Sequence, residues 1–571
     1  MRWVLAPQPS PPKWLQACIQ KSGFRPEIQS LLLRFPFQNP SEYEAFLSPS
    51  LKNIEPPEAI RNLTQAVQKL HRACQISKRI AMVSDYDVDG ITSMALMHRF
   101  FSFFHFSFTP IFPSREQEGY GLTEALVQRI LQHTPTFDLL VAMDCGTNSI
   151  QPVQTLRAAG IEVLIIDHHQ HTQAELPDAI CVNPHTQEAE HSTSSLELCT
   201  AGLVFKMLHA WLKQLRQENI PIATSLRLRS FLDLVALGTV ADLVPLQHDN
   251  RLFVHFGLQE LPKSPSQGLQ ELFRCSGYDR TFPLTTEALS FQFAPRINAG
   301  GRLDRADLPF QLLIETDPCR CCTLAQTIEA KNTERKEIER TTLAEAEAMI
   351  AQRPPSLVYV LYQPHWHLGV VGIVAGHLTR KYHRPVFVLG QQKDIAKGSG
   401  RSIPEVNLVD LFQKAAPYVL HWGGHPAAAG LSVTLENLPR LETCLHNILS
   451  QQFLHHPPEP TLPIASFLPA NALQPDFFTE LERLAPFGQG NEMPIFAVKK
   501  IIVTHPTERF GKQGNHLRIR WDHYVAIGWG MGSECIPLHQ PIDCALRLGW
   551  SYWQNQRSLQ IQLLDWRKSQ A

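Results

Sequence analysis

The chain has 571 residues, 44% of them hydrophobic and 18% charged, which excludes intrinsic disorder and leaves room for three or four domains. Lys and Arg number 52 against 53 Asp and Glu, a net charge of −1. That balance excludes a polycationic coat protein but leaves room for a local basic patch. Twelve scattered cysteines form no disulfide framework and point to a reducing cytoplasm. One C-x-x-C, Cys319 to Cys322, has no second pair to complete a zinc site. Met1-Arg2-Trp3 does not lead into a signal-type apolar run, and no stretch of ~18 apolar residues occurs, so neither secretion nor a membrane span is expected.

Residues 1–60 are Pro-rich and read as an N-terminal extension packed on the rest of the chain. Beyond them, three apolar runs end in polar residues: Ile80-Ala81-Met82-Val83 before Ser84-Asp85-Tyr86-Asp87, Leu139 to Met143 before Asp144-Cys145-Gly146, and Val163 to Ile166 before Asp167-His168-His169. Continuous apolar strands separated by helices predict a parallel sheet buried on both faces. Ligands of such sheets sit beyond the carboxyl ends of the strands. Phe100 to Phe108, six phenylalanines in nine residues, is assigned to the core of this domain. The stretch 319–353 contains neither Gly nor Pro and is rich in Glu, Lys and Arg, which predicts one long, mostly exposed helix able to connect two domains. A strand-rich unit with Gly-rich segments at 369–376, 398–400 and 423–430 comes next, then a linker at His455-His456-Pro457-Pro458, then an alternating pattern that predicts a small β-barrel.

The chemistry is concentrated in the acids. Asp85, Asp87 and Asp89 fall within five residues after a strand, Asp144 and Asp167-His168-His169 sit at equivalent strand ends, and Asp242 closes an apolar, helix-like stretch. A single Asp at a strand end is more often a helix cap or turn former, and Asp167 and Asp89 are open to that reading. Five acids at one sheet edge repel unless cations neutralise them. Carboxylates with one or two imidazoles suit Mn²⁺ or Mg²⁺, and two such ions can activate water and clamp a phosphoryl group.

The same residues carry a resemblance. Asp85-Tyr86-Asp87-Val88-Asp89-Gly90, Asp144-Cys145-Gly146-Thr147-Asn148 and Asp167-His168-His169 resemble the ordered motifs of the DHH phosphoesterase superfamily. Ala294-Pro295-Arg296-Ile297-Asn298-Ala299-Gly300-Gly301-Arg302-Leu303 resembles a signature of its RecJ single-strand-DNA exonuclease branch, and Leu484 to Asn491 the approach to that branch's OB-fold. Gly398 to Ser402 and Gly423 to Gly430 resemble the DHH-associated domain. Ser84 departs from the Gly usual before the first Asp. The resemblance implies an α/β chain: a DHH domain over 61–318, a connecting helix over 319–353, a smaller α/β DHH-associated domain over 354–455 closing a cleft, and an OB-fold over 456–571. It implies that Asp85, Asp87, Asp144, His168 and Asp242 hold two Mn²⁺ or Mg²⁺ ions, with His169 and Asp167 as close partners. Asp89 is left as either a site residue or the cap of the following helix.

Gly398-Ser399-Gly400-Arg401 and Gly423-Gly424-His425 offer backbone N–H groups beside Arg, Ser or His, a phosphate-binding chemistry. Arg115 and Arg302 are further candidates, and Arg115, Arg302, Ser399, Arg401, Gly424 and His425 form the expected pocket for a terminal 5′-phosphate. The last 75 residues hold ten Lys or Arg against five acids, with Trp521, Tyr524, Trp529, Trp550, Tyr552 and Trp553 among them, a composition suited to single strands. The resemblance therefore implies a cytoplasmic, monomeric 5′-to-3′ exonuclease of single-stranded DNA in repair and recombination. It also points to a single-strand-binding protein and a helicase as partners. The rival readings are a DHH-type oligoribonuclease or nucleotide phosphatase acting on short substrates, for which the basic last segment has no use, and a catalytically dead binding protein, which would not need the full acid set.

Overall fold

The computed structural model describes every residue except 8–9, 116, 187–196, 280, 304–305, 455, 554–555 and 570–571. His455 of the expected linker and the side chain of Trp553 therefore lie outside the described residues. Two compact units divide the chain. The larger comprises Trp3–Ile297, Ala306–Ala325 and Leu462–Ala571; the smaller comprises Met1–Arg2, Asn298–Arg305 and Gln326–Thr461.

In the larger unit, five parallel strands stand in the order Thr109–Ile111, Ile80–Ser84, Leu139–Met143, Glu162–Ile166, Ile180–Val182. The first strand in sequence lies between the second and the third. Strand order reverses there, which places a ligand crevice at the carboxyl ends of Ile80–Ser84 and Leu139–Met143. Both strands are buried throughout, the reason they read as unbroken apolar runs. Ala81, Val83, Leu140, Ala142, Val163 and Ile165 pack one face against Leu126, Val127, Val153 and Leu156 of two helices. The Phe cluster gathers around the fully buried Trp211, with Phe100, Phe101 and Phe106 at ring centroid distances of 5.1, 5.7 and 5.8 Å.

The C-terminal part of this unit is a seven-stranded sheet in the order Ser466–Leu468, Phe496–Ile502, Pro541–Trp553, Gln556–Lys568, Tyr524–Gly528, His516–Trp521, Glu508–Phe510. Trp521 and Tyr524 are buried in it and Trp529 is exposed, so the aromatics divide between core and surface. The N-terminal segment packs mainly here. Leu15, Ile19, Phe24, Ile28, Leu31, Leu32 and Tyr43 share one core with Leu468, Phe477, Leu481, Phe496, Leu517 and Trp521. Nearer residue 60 the segment turns to the parallel-sheet domain, where the Glu55 N–H donates to Asp249. The apolar stripe of Lys13–Lys21 and Pro26–Leu32 explains this: those helices have a face to bury, and the open flank of the C-terminal sheet buries it. Arg251 links the pieces, donating to the carbonyls of Leu484 and Phe46 at 2.9 and 3.3 Å.

The smaller unit holds a five-stranded sheet in the order His421–His425, Ala428–Thr434, Ile395–Arg401, Val386–Gln392, Tyr359–Tyr362, antiparallel except for the last pair. Helix Val371–Tyr382 and Ala346 and Ile350 of the long helix pack on one face; helices Leu408–Ala415 and Leu438–Gln452 pack on the other. The expected long helix is one element, Pro318–Ala351. No helix of the described residues is long and apolar enough to cross a membrane.

Candidate active site

Register brings the acids together. Ser84 pairs with Met143, Met143 with Ile166, and Ile166 with Val182. The next residue along each strand is therefore level with its neighbours: Asp85, Asp144, Asp167 and Asn183. The Asp144 N–H donates to Ile166 O at 3.0 Å and the Asp167 N–H to Val182 O at 3.0 Å, extending the ladder by one step. Asp144 has φ 59, a left-handed conformation that Asp tolerates better than most residues, and it turns the chain away from the strand.

Asp85, Asp87 and Asp144 each place a carboxylate oxygen within 4.8 Å of the others. His168 Nε2 lies 3.3 Å from Asp144 Oδ1, 3.6 Å from Asp242 Oδ2 and 3.9 Å from Asp89 Oδ2. Asp242 arrives at the end of helix Leu232–Ala241. All five expected metal-binding residues thus converge. Asp85 Oδ1 and Asp144 Oδ2 are buried and accept no hydrogen bond. Burial, with Asp87 beside it, pushes the Asp85 carboxyl well above the usual range; burial and the neighbouring acids do the same to Asp144 and Asp242. Burial lowers the His168 pKa despite the acids around it. Buried, unsatisfied carboxylates beside a neutral imidazole are the donor set of a hard divalent cation, so these residues fit the ions that the DHH motifs imply.

The partners of Asp89 settle its orientation. The following helix, Val88–Phe103, is capped by Asp87, whose Oδ1 accepts from the N–H groups of Asp89 and Gly90 at 3.0 and 3.1 Å. Asp89 instead accepts from Thr200 N–H at 2.7 Å and Ala201 N–H at 2.9 Å, at the start of helix Thr200–Gln217. Its carboxylate thus meets the positive end of a different helix. Gly238 makes this approach feasible: a Cβ there would lie 3.0 Å from Asp89 Oδ1 and 2.6 Å from Thr92 Oγ1.

Asp167 accepts from His169 Nδ1 at 2.7 Å and from Thr147 N–H at 3.0 Å. Burial alone would raise its pKa, but the hydrogen bonds and the His169 charge hold it below the usual range. Burial likewise opposes protonation of His169, and Asp167 overrides it, lifting the imidazole to about 9. His169 Nε2 meets the Tyr120 hydroxyl at 2.8 Å. Three residues of this shell were not singled out from sequence. Thr147 holds Asp167; Thr200 Oγ1 donates to Asp144 Oδ1 at 3.2 Å; Asn183 Nδ2 donates to Thr147 Oγ1 and His169 O, both at 2.8 Å. Thr147 stands within the motif Asp144–Asn148, and Asn183 directly follows the run Ile180–Val182, which is too short to mark it.

The phosphate-pocket candidates divide between the units. Arg115 belongs to the larger, its guanidinium 5.7 Å from the Tyr86 ring centroid. Arg302, Ser399, Arg401, Gly424 and His425 belong to the smaller. There Arg401 pairs across the sheet with Ala428, and Ala428 with His425, so Arg401 and His425 share a face with Ser399, two residues from Arg401. Arg401 NH1 donates to Ser399 Oγ at 2.6 Å and to Gly400 O at 2.9 Å. Its NH2 lies 3.2 Å from where a Cβ of Gly372 would stand, so glycine in the first turn of Val371–Tyr382 admits the guanidinium. Arg302 NH1 donates to Gly369 O at 3.1 Å, just before that helix. Gly424 has φ 150, a conformation that L side chains rarely adopt.

Comparison with known proteins agrees with this architecture. The DHH family N-terminal domain matches residues 79–239, the DHHA1 domain residues 355–451, and the RecJ OB domain residues 464–565. The single-stranded-DNA-specific exonuclease RecJ of Bacillus subtilis is 29% identical over 574 residues, covering 99% of this chain and 70% of that protein. Its counterpart from Thermus thermophilus is 30% identical over 530 residues, covering 91% and 73%. Crystal structures of Thermus thermophilus RecJ in complex with Mn²⁺ and with Mg²⁺ superpose with TM-scores of 0.83 and 0.77 at 27% and 26% identity; both cover 100% of this chain, and 80% and 79% of theirs. The chain belongs to the RecJ family of single-stranded-DNA-specific exonucleases.

Proposed function

We propose that the chain is a metal-dependent exonuclease that digests single-stranded DNA from the 5′ end to 5′-mononucleotides, in DNA repair and recombination. The observation that carries this reading is the row of level strand ends in which Asp85 Oδ1 and Asp144 Oδ2 are buried without a hydrogen-bond partner. Asp85, Asp87, Asp144, His168 and Asp242 would hold two divalent cations, Mn²⁺ or Mg²⁺. Such ions polarise phosphoryl oxygens and lower the pKa of water when bound. Asp89 and Thr200 seat the helix behind them. Asp167 engages the Nδ1 proton of His169, so any proton exchange with substrate is confined to Nε2. Arg302, Ser399, Arg401 and the Gly424-His425 edge would bind the terminal 5′-phosphate, with Arg115 as a further contact.

In this reading the segments are an N-terminal extension (1–60), the DHH domain (61–318), a connecting helix (319–353), the DHH-associated domain (354–455) and the OB-fold (456–571). The enzyme would act as a cytoplasmic monomer alongside a single-strand-binding protein and a helicase. The twelve cysteines are scattered along the chain, in keeping with a reducing compartment. Digestion of end-labelled single-stranded DNA, duplex DNA, RNA and dinucleotides in parallel, with Mn²⁺ and with chelator, tests the proposal. Mn²⁺-dependent release of mononucleotides from the 5′ end of single-stranded DNA is expected. It should vanish in Asp87→Ala and His168→Ala. A preference for dinucleotides, or digestion from the 3′ end, would overturn it.

A further inference from the structure

Helix Leu232–Ala241 stops at Asp242, and Leu243 then takes a left-handed conformation with φ 58. This is the place after a helix end where glycine is the usual occupant, because a Cβ there crowds the backbone. Burial does not explain the leucine either, since Leu243 is 66% exposed. The turn is braced against relaxation. Leu246 N–H donates to Gln489 O at 2.7 Å, Asn250 Nδ2 to Pro245 O at 3.0 Å, and Gln247 Nε2 to Gly490 O at 3.3 Å. A large apolar side chain is therefore held in solvent, in a conformation that disfavours it, one residue after a carboxylate 3.6 Å from His168 Nε2. Strain of this kind persists only where its surroundings over-determine it, and it clusters at sites of function.

We propose that Leu243 is a nucleobase-binding residue: it presses on the apolar face of a base beside the scissile phosphate and sets that nucleotide over the acid cluster. The inference rests on the single-strand exonuclease reading. Adjacent Cα atoms are about 3.8 Å apart, so the backbone of Leu243 is one step from Asp242 of the acid cluster, and a nucleotide whose phosphate meets that cluster would come within reach of its side chain. Every base has an apolar face, so the contact tolerates any sequence. In a duplex both faces are already stacked. The contact thus also favours an unpaired strand.

Leu243→Gly and Leu243→Asn, both suited to the left-handed region, test this. Their urea midpoints should equal or exceed that of the wild type, while kcat/KM on 5′-phosphorylated single strands falls roughly tenfold, the scale of one base contact. An abasic residue placed at the first or the second nucleotide should slow the wild type by a similar factor at one of those positions and leave Leu243→Gly unaffected there. Variants that digest like the wild type overturn the inference. So do abasic sites that slow variant and wild type equally at both positions, or midpoints that fall below the wild type. A wild type inactive on single strands would instead sink the underlying function, a result read before any variant is compared.

Discussion

Replacing Asp144 by Asn should make the metal-free protein more stable. Asp144 shares its surroundings with Asp85 and Asp87 at ligand-atom separations within 4.8 Å. At that distance, with an effective dielectric of about 20, each like-charge pair costs about 3.5 kcal/mol, or about 7 kcal/mol for both. The folded chain avoids part of this by protonating. Holding a carboxyl of ordinary pKa 3.8 neutral at about pH 7.5 costs about 5 kcal/mol, which caps the penalty. Asn keeps the shape, tolerates the φ of 59 at this position, and can still accept from Thr200 Oγ1. After deducting about 1–2 kcal/mol for weakened hydrogen bonds, the variant should gain up to about 3–4 kcal/mol. The sign also fixes the pH dependence. A raised carboxyl pKa means that the folded state binds more protons than the unfolded state, so wild-type stability falls as pH rises above 3.8. At about pH 5 the cap shrinks to about 1.6 kcal/mol and the two proteins should nearly coincide. Mn²⁺ at a hundredfold excess over its Kd adds about 2.7 kcal/mol to the wild type and far less to a variant lacking a ligand oxygen, closing the gap from the other side. Urea unfolding with chelator and with Mn²⁺, at both pH values, measures all four quantities. A variant less stable than the wild type in chelator at neutral pH, or an equal Mn²⁺ shift in both, would refute the reasoning.

Arg401→Ala should raise KM for 5′-phosphorylated strands by tenfold or more, on the order of 1.5–3 kcal/mol for a charge-assisted contact, and affect 5′-hydroxyl strands less; steady-state kinetics on the two substrates checks this, and equal losses would exclude a phosphate contact. Gly238→Ala puts a Cβ 2.8 Å from Ala201 Cβ and 3.0 Å from Asp89 Oδ1, so it should cost about 1–3 kcal/mol of overpacking and weaken Mn²⁺ binding by calorimetry. Removing residues 462–571 should leave Leu15, Ile19, Phe24, Ile28 and Leu31 without their partners and produce a dye-binding, aggregating chain. Removing residues 3–47 as well should restore solubility, as judged by light scattering.

The parallel sheet was legible because strands buried on both faces appear as unbroken apolar runs, and those runs end at Asp85, Asp144 and Asp167. The long helix was legible from 35 residues without Gly or Pro. What stayed hidden depends on register and packing. Asn183 comes after a strand of three residues, too short to show a pattern. Thr147 and Thr200 are ordinary residues until the sheet and the helix start place them against Asp167 and Asp144. Asp89 stayed open between a site residue and a local cap because local rules allow both; Asp87 takes the cap, and Asp89 reaches a helix more than a hundred residues away. The partner of the N-terminal helices lies further still, and no local pattern encodes it.

That shared core imposes an order of events on synthesis. The helices Lys13–Lys21 and Pro26–Leu32 leave the ribosome well before Leu468, Phe477, Phe496 and Trp521, against which they pack and which come more than 400 residues later. At ~5–20 residues per second, the apolar faces wait on the order of 20–90 s for their cover. During that interval the nascent chain presents amphipathic helices that nothing downstream can yet bury. A segment made long before its partners is thus among the last to reach its final place, and it is where a holdase would engage during translation.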